Sequence, residues 1–174
     1  KPTMKTFTLS ALATSMLAAA GLAQAEAITY NVEPTHTYVT FEVRHFATST
    51  NRGRFDKKEG TVQFDKAAKT GKVEVVFDLK SVSTGVEMMN KHLQSADFFD
   101  SEKYPNAKFV GDKFVFKGDK VEAVSGTLTL RGVSRPLVLR ALRFGCEAQA
   151  ARQVCGGDFE GDLQRSDFGI DYLV

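Results

Sequence analysis

The sequence predicts a mainly β fold, an antiparallel sheet closed into a barrel or folded into a sandwich, with one short helix. Three observations predict it. Apolar and polar residues alternate with period two in one short segment after another. Turn signals separate those segments, and a helical spacing with a capping signature occurs once, after Thr84.

The N-terminus reads differently from the rest. Lys1-Pro2-Thr3 precede Met4, Lys5 supplies a positive start, and an apolar stretch runs from Phe7 to Ala20. Ala23-Gln24-Ala25 is a small-x-small cleavage pattern. Residues 1–25 are therefore expected to be a signal peptide with three leading residues. Residues 26–174 then form a single domain, exported to the periplasm. The apolar stretch is short for a membrane span, although an uncleaved anchor is the alternative. No Cys lies beside the cleavage pattern, which argues against a lipoprotein.

The first alternating segment is Tyr38 to Phe46. Val39, Phe41, Val43 and His45 share one face, against Thr40, Glu42 and Arg44. Thr61 to Asp65 aligns Val62 with Phe64. Lys72 to Lys80 aligns Val73, Val75, Phe77 and Leu79, with Val76 out of step. Thr84-x-x-Glu87 reads as a capping box, and Val86, Met89, Asn90 and Leu93 follow at helical spacing, so a helix is expected to end near Ser95 to Asp97. Short strands follow at Lys108 to Gly111, Lys113 to Lys117, Lys120 to Val124 and Gly126 to Arg131. Gly118-Asp119 between two of them is a hairpin signal. Arg135-Pro136 opens a last strand, where proline is tolerated at the first position.

Such strands have one wet and one dry face, and the dry face must be buried by closure or by sandwiching. About eight strands can close around one small ligand. Alternation does not distinguish a filled barrel from a hollow one.

Charge excludes some partners. The chain has 23 basic and 21 acidic residues, and two of the basic ones, Lys1 and Lys5, fall in the leader. The remainder is neutral overall, which argues against nucleic acid or an anionic membrane face as the main partner. No second long apolar run predicts stable membrane insertion after signal removal. Cys146 and Cys155 are the only cysteines, and an oxidising compartment favours a disulfide between them. A metal site is the rival, but no His lies in that segment and no metal ligand set is expected.

Signatures of catalysis are missing. The chain has no G-x-S-x-G, phosphate-binding loop, H-E-x-x-H or C-x-x-C. A binding protein rather than an enzyme is expected. Core packing accounts for most of its 14 Phe, and a cavity lined with Phe and Met would also suit a long hydrocarbon.

Four blocks in order carry a family likeness. They are Val32 to His36 with Phe41-Glu42-Val43-Arg44-His45 and Gly53-Arg54-Phe55; Lys91 to Asp100 with Tyr104 to Phe109; Val124 to Pro136; and Arg165-Ser166-Asp167-Phe168-Gly169-Ile170. On these the sequence resembles the YceI-like, polyisoprenoid-binding family. The resemblance implies a lipocalin-like antiparallel β-barrel around an apolar tunnel. It also implies a bound long-chain isoprenoid such as a quinone or polyprenyl phosphate, no other cofactor, a periplasmic setting and frequent homodimers. A fatty-acid or fatty-amide scavenger on the same barrel, a lipid-modifying enzyme and a filled structural barrel are the alternatives.

The chain departs from the family at Met89-Asn90, where many members carry Arg-Asp, and it stops at Val174, so the final strand is expected to be missing and a barrel edge open. Face and motif together make Val39, Phe41, Val43, Val75, Phe77, Phe98, Phe99, Leu128 and Leu130 candidates to line a lipid cavity or core. His45 and Arg165 are the candidates near a polar head group.

Overall fold

The computed structural model describes residues 27–150 and 152–172, so the expected leader lies outside the described residues. Ten strands and one α-helix follow in order: β1 Ile28–Asn31, β2 Val39–His45, β3 Ser49–Phe55, β4 Lys58–Asp65, β5 Thr70–Asp78, β6 Val82–Ser83, α1 Glu87–Gln94, β7 Asn106–Lys117, β8 Lys120–Leu130, β9 Val133–Gln149 and β10 Arg152–Glu160. Two 3₁₀ turns, Leu79–Ser81 and Arg165–Phe168, complete the set.

Seven strands form one antiparallel sheet in the order β1-β4-β5-β7-β8-β9-β10, and β2-β3-β6 form a second, smaller one. The fold is the expected mainly β, lipocalin-like one. The large sheet curls until its two edges approach. There Tyr30 on β1 donates from its hydroxyl to Oε1 of Gln153 on β10 at 2.8 Å. Just inside, Phe64 on β4 meets Phe144 on β9 edge to face, 5.7 Å between ring centres. No backbone ladder joins β1 to β10 among the described residues.

One of the expected breaks between strands is a bulge. The segments on either side of Asp112 form one strand, β7, whose pairing with β8 shifts between Gly111 and Lys113. One extra residue reverses the parity, so Ala107 and Phe109 face inward before it and Phe114 and Phe116 after it. A second shift, between Val115 and Phe116, does the same for β8, where Val121 and Val124 are both buried. The Gly118-Asp119 turn is present, with Lys117 paired to Lys120 and Gly118 at φ 60°.

The helix starts without the expected capping box. Val86 is the cap residue and makes no side-chain capping bond. The loop is instead held by Asn90, whose Oδ1 accepts from both the backbone N–H and the hydroxyl of Thr84 at 2.8 Å each. Thr84 is thereby turned away from the free N–H groups that Glu87 would have complemented. The helix ends at Gln94, with Ser95 as its cap.

The core is densest where the helix sits. Leu79 is fully buried, and Phe55, Val82, Leu93, Ala107, Leu128, Leu130, Phe168 and Ile170 are each under 9% exposed. Phe55 of the small sheet touches Phe77 of the large sheet and Phe99 of the loop after the helix, with ring centres 4.8 and 5.4 Å apart.

Candidate functional site: an apolar inner face

Strand directions divide the molecule into two ends. The helix, the β3–β4 corner, the β8–β9 turn and the 3₁₀ turns gather at one. The β4–β5, β7–β8 and β9–β10 turns gather at the other, as does the β2–β3 turn, because β3 runs back to the helix end before β4 leaves it.

The inner face of the large sheet is apolar from end to end. Towards the helix, Phe41, Phe55, Phe77 and Phe99 pack as one aromatic cluster. Towards the turns, Phe64, Val121 and Val124 are buried, and Val73, Phe114, Phe116, Leu139 and Phe144 face the same interior half-buried. Phe114 and Phe116 stack 6.2 Å apart there. Half-buried aromatic rings on a concave sheet present apolar area that an apolar guest could cover.

The expected enclosed tunnel does not correspond to either of two clefts of about 170 Å³ each. One lies at the helix end of β9, between Arg135, Leu137 and Phe168, the other beside Lys57 and Asp78. Both are smaller than a typical small-molecule pocket of about 300–1,000 Å³.

The candidate residues do not gather at one place. Val39, Phe41, Phe77 and Phe99 pack against the core, while Leu128 and Leu130 lie within it at 6% exposed each. Val75 is half-buried on β5. Val43 and His45 continue the face of Phe41 but are exposed, and the His45 ring lies against Phe46. Phe98 also packs against the core and meets His92 and Tyr172, its ring centre 4.9 and 5.3 Å from theirs. Arg165 opens the second 3₁₀ turn at the helix end, and His45 ends β2 at the opposite one. One compact head group therefore does not touch both.

Cys146 and Cys155 form a disulfide between directly opposed positions of β9 and β10. It ties the part of that hairpin which extends past β8, since β8 pairs with β9 only from Val133 to Arg140. A two-stranded ribbon has little stability alone, so the cross-link supports the strand pair that carries Phe144 and Gln153.

Sequence reasoning missed Phe114, Phe116 and Phe144 as a group. The bulge at Asp112 hides the first two from a parity argument. Phe144 is displaced in parity as well, because the pairing of β10 with β9 skips Leu142 between Arg143 and Ala141.

This fold and inner face define a class: a curled antiparallel sheet of lipocalin type with an apolar concave surface. The family model for the YceI-like domain matches residues 30–174, and the chain belongs to that family. It is 36% identical over 169 residues to a UPF0312 protein of Pseudomonas savastanoi, covering 95% of this chain and 87% of that one. It is 34% identical to Protein YceI of Escherichia coli O157:H7, covering 96% and 88%. Among solved structures, Burkholderia cenocepacia BcnA matches with a TM-score of 0.65 at 27% identity, over 79% of this chain and 83% of that one. A Campylobacter jejuni YceI protein matches at 0.62 and 30% identity, over 80% and 82%.

Proposed function

We propose that the protein binds the hydrocarbon tail of a long-chain lipid, a polyisoprenoid such as a quinone or polyprenyl phosphate, on the inner face of its curled sheet, and carries or stores it without chemistry in the periplasm. The observation that carries the reading is the continuous apolar inner face of the curled sheet, on which Val73, Phe114, Phe116, Leu139 and Phe144 point inward and are only half-buried beside the buried Phe64, Val121 and Val124. Covering apolar area gains about 25 cal/mol per Å² before the costs of association. A tail of many carbons is therefore held with few polar contacts, and specificity falls on length and head group.

Solvent extraction of the protein purified from its host envelope, followed by mass spectrometry, tests this. A prenyl-repeat lipid at near-stoichiometric amount is expected, and Phe116→Asp is expected to lose it while keeping the β-sheet circular dichroism. A fatty species without prenyl repeats would favour the scavenger reading. Protein that carries no lipid and takes none up would overturn both.

A further inference from the structure

We propose that the turn end of the molecule docks on an anionic bilayer surface, a contact that goes beyond the binding of a lipid tail. The chain's neutral overall balance conceals an uneven distribution. The turn segments 44–50, 64–70, 116–121 and 147–152 carry six basic residues against three acidic ones. The segments at the helix end, 31–38, 56–58, 78–105, 131–135 and 160–172, carry eight basic against eleven acidic. The molecule is thus polarised along the strands, positive at the turns.

The three acids at the turn end are Asp65, Asp119 and Glu147, which leaves three positive charges in excess. Asp119 is paired with Lys69 at 3.5 Å, and Asp65 accepts the backbone N–H groups of Ala67 and Ala68. Among the described residues, Arg44, Lys66, Lys117, Lys120 and Arg152 take part in no ion pair within 4 Å. Cations left without partners on one rim are what an anionic surface attracts.

An apolar side chain stands among them. Phe46, at the apex of the β2–β3 turn, is 81% exposed. Its backbone sits at φ 51°, a left-handed conformation that costs energy for a residue with a Cβ. Its ring rests on His45, with centres 4.2 Å apart, and is otherwise presented outward. An exposed aromatic ring beside unpaired cations matches the two layers of a membrane interface, phosphate outside and hydrocarbon beneath. Nucleic acid would use the cations but has less use for a strained, outward apolar side chain. The half-buried Phe114 and Phe116 of the inner face lie towards this same end.

Flotation with two kinds of vesicle, phosphatidylcholine alone and phosphatidylcholine mixed with phosphatidylglycerol, tests the proposal. The protein is expected to float with the mixed vesicles and not with the neutral ones, and to be released as salt rises. The triple variant Lys66→Glu, Lys117→Glu, Lys120→Glu is expected to weaken binding by at least about fivefold per site. Phe46→Ser is expected to weaken it while leaving the salt dependence in place. All four residues are on the surface, and circular dichroism checks that each variant is folded. Equal binding to both vesicles, undiminished binding by the triple variant, failure to bind either vesicle, or equally tight binding to a DNA oligonucleotide would overturn the proposal. The lipid extracted from the same preparations is a separate readout, so loss of docking and loss of cargo are distinguishable results.

Discussion

The ring of Phe41 lies over the backbone of Gly53 on the neighbouring strand, so close that a Cβ at Gly53 would fall 2.3 Å from Cζ of the ring. The two residues are directly paired across β2 and β3. Phe41 has little room to retreat, because its other sides meet Phe55 and Phe99 at 5.7 and 6.2 Å.

Gly53→Ala is therefore expected to destabilise the protein by about 1–3 kcal/mol, the usual cost of overpacking. The denaturation midpoint measures it. A double mutant with Phe41→Leu is expected to recover part of the loss, since the smaller side chain frees the space.

Phe55 joins the two sheets through contacts with Phe41, Phe77 and Phe99 and is 5% exposed. Phe55→Ala is expected to cost about 3–5 kcal/mol. Urea unfolding checks it, and a loss below about 1 kcal/mol would mean that the sheets do not depend on this contact.

Replacing both cysteines by serine removes a cross-link nine residues apart in sequence. The chain-entropy estimate gives a loss of about 2–3 kcal/mol. Hydrogen exchange is expected to rise first between Phe144 and Gly157, where β9 and β10 have only each other.

Tyr30→Phe removes the hydroxyl that reaches Gln153. Because this bond is exposed, its stability cost is expected to be small, about 0.5–1 kcal/mol. If the β1–β10 seam admits the lipid, the larger effect will be faster release of a fluorescent isoprenoid analogue, read by stopped flow.

Glu33 gives a pH prediction. Its carboxylate accepts from the hydroxyl and backbone N–H of Thr35 and from the ring and backbone N–H of His36. These bonds, those from Thr35 first, lower its pKa from 4.5 to about 2. A depressed carboxylate stabilises the fold fully above the unfolded value of 4.5, and that contribution is lost as pH falls towards 2. Carboxyl titration by NMR is expected to place Glu33 well below the other glutamates, and Glu33→Gln is expected to remove the dependence in that window.

Much of this architecture was legible in the sequence, where one face of a strand is apolar and the other is not. β2, β5 and the ends of β7 to β9 show that contrast. β3 does not, because the position beneath Phe41 has to be glycine and its neighbours Asn51, Arg52 and Arg54 are exposed. β10 carries only Val154, Cys155 and Phe159 as apolar residues, and it follows β9 through pairing rather than burial. The candidate lining was only partly legible. Parity identifies which side chains share a face, but it does not show where along that face packing stops. Leu128 and Leu130 are buried, whereas Phe114 and Phe116, displaced by a bulge, are only half-buried.

Six backbone ladders knit the large sheet together, yet among the described residues its first and last strands meet through the Tyr30–Gln153 side-chain bond and no ladder. A wall laced on six seams and merely latched on the seventh can widen there without unfastening any ladder. If the proposed lipid sits inside, guests of different girth could be accommodated by one small movement, so the molecule would be choosier about a tail's length than about its thickness.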